Sequence, residues 1–124
     1  MATIKDIAAS VFTSLNSNGG VNVDVDGNNV SVNTTSGDDK VIVYGDGNAV
    51  ASGDGDDNII LKGSGNTAQA GAGNDRVTAI GDGNTLDGGD GDDIVYARGH
   101  NNVLDGGAGD DDINASGMRN TLIG

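Results

Sequence analysis

The sequence predicts an all-β fold, a right-handed parallel β-solenoid of 18-residue coils, and two observations predict it. The stretch Gly88-Gly89-Asp90-Gly91-Asp92-Asp93-Ile94-Val95-Tyr96 follows the pattern G-G-x-G-x-D-x-U-x, with U a large apolar residue, and GGAGDDDIN (Gly106–Asn114) repeats it 18 residues on. SGDGDDNII (Ser52–Ile60) and AGAGNDRVT (Ala70–Thr78) match except at the first Gly, and TTSGDDKVI (Thr34–Ile42) keeps Gly37, Asp39 and Val41, all in the same 18-residue register. The second observation is that apolar and polar residues alternate after each turn signal, as in a strand with one buried face. A period of two within strands and a fixed longer period between repeats describes a chain that returns above itself once per repeat.

Taken in order, the first element expected is a short N-terminal capping α-helix. Ile4, Ile7, Ala8, Val11, Phe12 and Leu15 recur at helical spacing over residues 3–15, with Thr3 as N-cap and Asp6 three residues on. A helix of about 13 residues is marginal alone, so its apolar face needs something to cover, either the first coil or a partner in self-association or export. Asn16–Gly20 reads as a linker, closing a first segment of 1–20. Residues 21–34 read as an irregular lead-in coil, with Val21, Val23 and Val25 alternating before an Asp26–Asn29 turn and Val30 and Val32 after it. Residues 35–124 divide into five units: 35–52, 53–70, 71–88, 89–106 and 107–124. Each unit places one apolar residue on a first strand (Val41, Ile59, Val77, Val95, Ile113) and one nine residues later (Val50, Ala68, Leu86, Leu104, Leu122). The result is two parallel sheets around a thin aliphatic core, with strands stacked at about 4.8 Å.

Composition narrows the chemistry. The chain has 124 residues, 23 Gly, no Pro, no Cys, and a net charge of −13. All 19 acidic residues are Asp, a short carboxylate suited to turns. So acidic and aromatic-poor a chain needs either a counter-ion or a repeat architecture to fold. Its charge makes nucleic acid and anionic membranes poor partners. Without Cys no disulfide can contribute, no apolar run reaches membrane-spanning length, and the first residues lack the basic flank and apolar core of a secretory signal peptide.

The two turns of each unit differ. One edge stacks Asp39, Asp57, Asp75, Asp93 and Asp111 in a column, and the other stacks Asn48, Asn66, Asn84, Asn102 and Asn120. Neighbouring carboxylates repel by about 1 kcal/mol even at water's dielectric. A hard divalent cation between coils reverses that sign. Calcium takes about six to eight oxygens at roughly 2.3–2.6 Å in flexible geometry, which carboxylates and backbone carbonyls can supply. Magnesium suits the site less because it keeps its waters, and zinc lacks its Cys and His ligands. An amide column can hydrogen-bond along the axis with no charge to neutralise, so metal is expected on one edge only. Four inter-coil gaps would take about four ions and move the charge from −13 to about −5. Asp54, Asp56, Asp90, Asp92 and Asp110 are either further ligands or solvated charge around them. His100, the single His, has no Cys or Ser–Asp partner in reach of the pattern, so no enzymatic centre is expected. Ile42, Tyr44, Ile60, Ile80, Ile94 and Tyr96 point outward, as plain surface, as the seat of the N-terminal helix, or as a contact face.

Residues 34–124 resemble the RTX (repeats-in-toxin) calcium-binding nonapeptide β-roll family, through the five nonapeptides quoted above. The resemblance implies that Asp39, Asp57, Asp75, Asp93 and Asp111 bind Ca2+ together with backbone carbonyls of the turns containing Gly37, Gly53, Gly55, Gly71, Gly73, Gly89, Gly91, Gly107 and Gly109. It also implies a bacterial protein exported unfolded, which folds where calcium is plentiful. The chain departs from the family in giving Asn to every second nonapeptide and in replacing the first Gly pair by Thr34-Thr35. No long segment follows the repeats in this sequence, which leaves the export route open. The expectation is a secreted, non-enzymatic calcium-binding module that folds on the ion and serves in an adhesin, surface layer or biofilm-matrix filament, with head-to-tail stacking of solenoids as its mode of self-association. Two alternatives stand beside it. Ice-binding β-solenoids of this kind use outward Thr ladders, where this chain has Ser36, Asp54, Ala72, Asp90 and Ala108. The other is an accessory module of a secreted polysaccharide-active enzyme, with no catalytic portion in this sequence.

Overall fold

Parallel strands are satisfied only by neighbours that repeat their own direction, and an 18-residue repeat supplies one on each side. The computed structural model describes the backbone of residues 2–7 and 12–14 and the whole of residues 19–124. Its strands run β1 Ala2–Ile7, β2 Phe12–Ser14, β3 Val21–Asp26, β4 Ser31–Asn33, β5 Lys40–Tyr44, β6 Ala49–Asp54, β7 Asn58–Lys62, β8 Thr67–Ala72, β9 Arg76–Ile80, β10 Thr85–Asp90, β11 Ile94–Arg98, β12 Val103–Ala108, β13 Asp112–Ser116 and β14 Thr121–Ile123. The odd-numbered strands form one seven-stranded sheet and the even-numbered strands the other, each in coil order. All pairings are parallel, and from Asn22↔Lys40 to Val103↔Thr121 every partner lies 18 residues away. The expected β-solenoid is therefore the fold, in about six coils.

The core is the row of inward positions. Val41, Ile59, Val77 and Val95 are fully buried on the odd sheet, faced by Val50, Ala68, Leu86 and Leu104 on the even sheet. The next inward position on the odd sheet adds Val43, Leu61, Ala79 and Ala97. In the last coil Ile113 is partly buried and Leu122 is exposed. Among the described residues no helix is long and apolar enough to cross a membrane.

Two expectations about the first residues change. The helix expected over residues 3–15 is not among the elements: Ala2–Ile7 and Phe12–Ser14 are strands, and residues 8–11, the middle of that helix, lie outside the described residues. The physical reason is the edge of β3, a row of backbone groups that a marginal helix would leave unpaired and a further strand satisfies. That pairing has a 19-residue offset at Ile4↔Val23 and 18 at Ile7↔Val25, with an irregularity between. Residues 21–34, expected to be irregular, form a coil in full register, with Val23↔Val41 and Val32↔Val50.

The turns at the two edges are of different length. Four residues such as Gly45–Asn48 join an odd strand to the next even strand, whereas three, such as Gly55–Asp57, make the return. On the return edge a Gly inside the even strand adds a kink: Gly53, Gly71, Gly89 and Gly107 have φ of 95–114°. A Cβ on any of them would collide with the carbonyl oxygen of the residue below, Thr35, Gly53, Gly71 and Gly89 respectively. Gly-rich turns thus let the coils approach to strand spacing at the edge as well as within the sheets.

Candidate metal site

The aspartates of the return edge stand in one column and face inward. Asp39, Asp57, Asp75 and Asp93 are only 1–3 % exposed, and Asp111 in the last coil is partly covered. Each carboxylate holds the coil beneath it. The Asp39 N–H donates to Asp57 Oδ1, Asp57 N–H to Asp75 Oδ1 and Asp75 N–H to Asp93 Oδ1, all at 2.7 Å, and Asp93 N–H donates to Asp111 Oδ1 at 3.0 Å. The ladder starts at Val21, whose N–H donates to Asp39 Oδ1 at 2.7 Å. A short hydrogen bond to a charged acceptor is among the stronger kinds available to a backbone amide.

The second oxygen of each carboxylate has no such use. Oδ2 of Asp39, Asp57, Asp75 and Asp93 is buried and accepts no hydrogen bond. The asparagine column is an internal control, because it builds the same ladder with an amide. Asn48 N–H donates to Asn66 Oδ1, Asn66 to Asn84, Asn84 to Asn102 and Asn102 to Asn120, each at 2.8 Å. There the other end of the amide donates: Asn48, Asn66, Asn84 and Asn120 give Nδ2–H to the carbonyls of Gly27, Gly45, Gly63 and Gly99 at 2.9–3.1 Å. Asn102 Nδ2 is the one member without a partner. The axial hydrogen bonding expected of the amides is therefore present, and the carboxylates differ by leaving a bare acceptor inside the protein. Burying such an atom costs free energy unless a proton or a cation meets it.

The electrostatics follow. Burial pushes the Asp75 carboxyl up to about 7, opposed by its hydrogen bond to the Asp57 amide and reinforced by the charges of Asp57 and Asp93. Asp57 and Asp93 are raised for the same reason, burial first. The Ser52 hydroxyl stands beside Asp57 and pulls its pKa the other way, yet its single proton is directed to the Ala70 carbonyl at 2.9 Å. The geometry therefore leaves Asp57 Oδ2 bare.

Sequence reasoning missed one part of this environment. In the two complete nonapeptides the first residue faces the second carboxylate oxygen: a Cβ on Gly88 would collide with Asp93 Oδ2, and one on Gly106 with Asp111 Oδ2. The only signal for it was the Gly at position one of the two complete repeats. The expected ligand glycines gather on the same edge in the left-handed φ region, from Gly37 at 99° to Gly109 at 138°. The Gly37, Gly55, Gly73 and Gly91 carbonyls point along the axis, where a Cβ on Gly55, Gly73, Gly91 or Gly109 would meet them. Of the outer carboxylates, Asp56 and Asp92 accept backbone amides while staying exposed, and Asp38 does the same. Asp38 Oδ1 accepts the Asp56 N–H at 3.0 Å, Asp56 Oδ1 the Asn74 N–H at 2.9 Å, and Asp92 Oδ1 the Asp110 N–H at 2.9 Å.

No family model, curated protein or solved structure matches this chain. The functional reading rests on the site itself. Among the described residues no three acidic or His side chains converge on one point. Each of the four rungs from Asp39 to Asp93 instead offers one bare carboxylate oxygen, so the rest of a coordination shell would come from turn carbonyls and water. Hard oxygen donors with excess negative charge fit calcium in charge and in chemistry. They do not fit a softer transition metal.

Proposed function

We propose that this chain is a secreted calcium-binding structural module of the RTX β-roll kind, which stabilises its solenoid by taking up Ca2+ along the aspartate column. One observation carries the reading: four buried Oδ2 atoms stand unpartnered in a column, while most of the equivalent amide atoms opposite are satisfied. Asp39, Asp57, Asp75, Asp93 and Asp111 would hold the ions, with carbonyls from the adjoining Gly-rich turns, from Gly37 through Gly109. A bound ion supplies positive charge that the column lacks. The protein's part is to bring the oxygens together by stacking coils, which couples uptake to folding. The role is non-enzymatic, in an extracellular adhesin, surface layer or matrix filament, with end-to-end contact between solenoids extending the column.

A proton is the competing occupant of each Oδ2, favoured by the Asp75 carboxyl near 7. Circular dichroism and thermal melting at pH 7.5 with millimolar calcium, and with chelator, separate the two. Calcium uptake predicts a large gain in β-signal or Tm; identical spectra and melts in both buffers would sink it and leave a proton-capped ladder.

A further inference from the structure

The basic residues of this acidic chain are not scattered. Of the six Lys and Arg, four (Lys40, Lys62, Arg76 and Arg98) point outward from β5, β7, β9 and β11 on the odd sheet. Both tyrosines, Tyr44 and Tyr96, share that face, and Lys62 lies over the Tyr44 ring at 4.9 Å. Outside the last coil, every large apolar side chain exposed among the described residues is also there: Tyr44 at 41 %, Ile80 at 45 % and Ile94 at 42 %. The four basic groups make no ion pair with any of the described residues. Over β5–β11 the face is thus bulky, partly apolar and positive, flanked by the outward Asp24 and Asp26 of β3 and Asp112 of β13.

The opposite face is its complement. The outward positions of β6, β8, β10 and β12 include Ala49, Ala51, Thr67, Thr85, Asp87 and Asp105, with no Lys or Arg. Small side chains leave a shallow depression over Ala49 and Ala51. Asp87 and Asp105 sit directly opposite each other on neighbouring strands, a like-charge pair that a cation from outside would relieve.

We propose that the odd-sheet face of one molecule docks on the even-sheet face of a second copy, so that solenoids associate side by side. Both faces have the same strand spacing of about 4.8 Å, so the rungs of one can lie in register with the rungs of the other. Charge selects this pairing over a symmetric one, because the basic face repels itself. A contact between two different faces does not close, so it builds layers. The footprint, on the order of 400 Å2 from strand dimensions, is about half the area per partner of a standard interface, so each contact is weak and salt-sensitive. The inference does not depend on calcium uptake, only on the folded solenoid.

The test is sedimentation of the full chain, its fold verified by circular dichroism in calcium buffer, from about 10 μM to about 1 mM at low ionic strength, a range set by the weakness of the contact. The weight-average mass should rise with concentration and fall with added salt. R76E/R98E and D87K/D105K should each weaken self-association at least tenfold, a change of about 1.4 kcal/mol. An equimolar mixture of the two should recover it, because each supplies the face the other has lost. Ile80→Ser, which leaves the charge unchanged, should weaken it as well. A wild-type chain that stays monomeric throughout, variants that associate like wild type, or a folded mixture that stays monomeric overturns the proposal. So does pelleting with phosphatidylserine vesicles that R76E/R98E abolishes while wild type alone remains monomeric, since the occupant would then be an anionic lipid surface.

Discussion

A carboxylate and a carboxamide of the same length occupy the same rung on opposite edges of this solenoid, and they behave alike at Oδ1. They differ at the other atom, where the amide donates and the carboxylate is a second acceptor. Asp75→Asn therefore removes a buried uncompensated charge at the cost of one ligand. The calcium-free protein should gain on the order of 1–3 kcal/mol, while the stabilisation by calcium shrinks. Paired melts of wild type and variant with and without chelator check both signs; a variant that loses stability in chelator contradicts the argument. The pH dependence belongs to the same atoms. The folded-state pKa of Asp75 is raised to about 7 from 3.8, so over that interval the folded chain holds a proton that the unfolded chain releases. Calcium-free stability should accordingly be full below about pH 4, fall as pH rises through about 7 and level off above it, with Asp57 and Asp93 acting in the same direction. Stabilisation by calcium should run the opposite way, because only the ionised carboxylate binds it. Urea midpoints at pH 5 and pH 8, measured with chelator, test the first half: a higher midpoint at pH 8 refutes it.

At the scale of the element, stacking is controlled by what the turns omit. Gly73 has φ of 136° and no room for a Cβ beside the Gly55 carbonyl, whereas Gly83, at 68°, has open space around it. Gly83→Ala should cost about 1–2 kcal/mol, the backbone penalty alone. Gly73→Ala adds a collision with the coil below and should cost clearly more, and denaturant unfolding of the two variants measures the difference. Equal losses would mean that the coils can separate at the edge without penalty. Much of this was legible beforehand. Gly and Asp at fixed offsets, followed by alternation, place Val41 and Val50 in the core and Asp39 in a column with its equivalents. The N-terminal segment was misread because Ile4, Ile7 and Val11 satisfy a helical period, and only the open edge of β3 decides for strand. The direction of the carboxylates was not legible either. That Oδ1 would cap an amide and Oδ2 would face Gly88 depends on how turns of three and four residues alternate. The segregation of the basic residues could have been read from the period of two, once the sheet to which each strand belongs was known.

At the scale of the molecule, each coil touches only its neighbours, so the whole is close to a sum of repeats. Excising residues 71–88 joins Ala70 to Gly89 in register and should leave a shorter folded solenoid. It removes Asp75 and one orphan oxygen, so calorimetry should find one calcium ion fewer per chain. A β-spectrum with unchanged stoichiometry would move the ions away from the aspartate column.

The two columns on each edge run in opposite senses. The buried side chain accepts from the coil before it (Asp39 N–H to Asp57), and the exposed one accepts from the coil after it (Asp56 N–H to Asp38). The edges are thus laced in both directions. Counting side-chain bonds at the aspartate edge, peeling away a terminal coil breaks one of each sense whichever end is pulled, and bares one such donor and one such acceptor on the coil left behind. Fraying has no cheaper direction at these edges, and a solenoid stretched along its axis should release its coils in steps of similar force from head or tail.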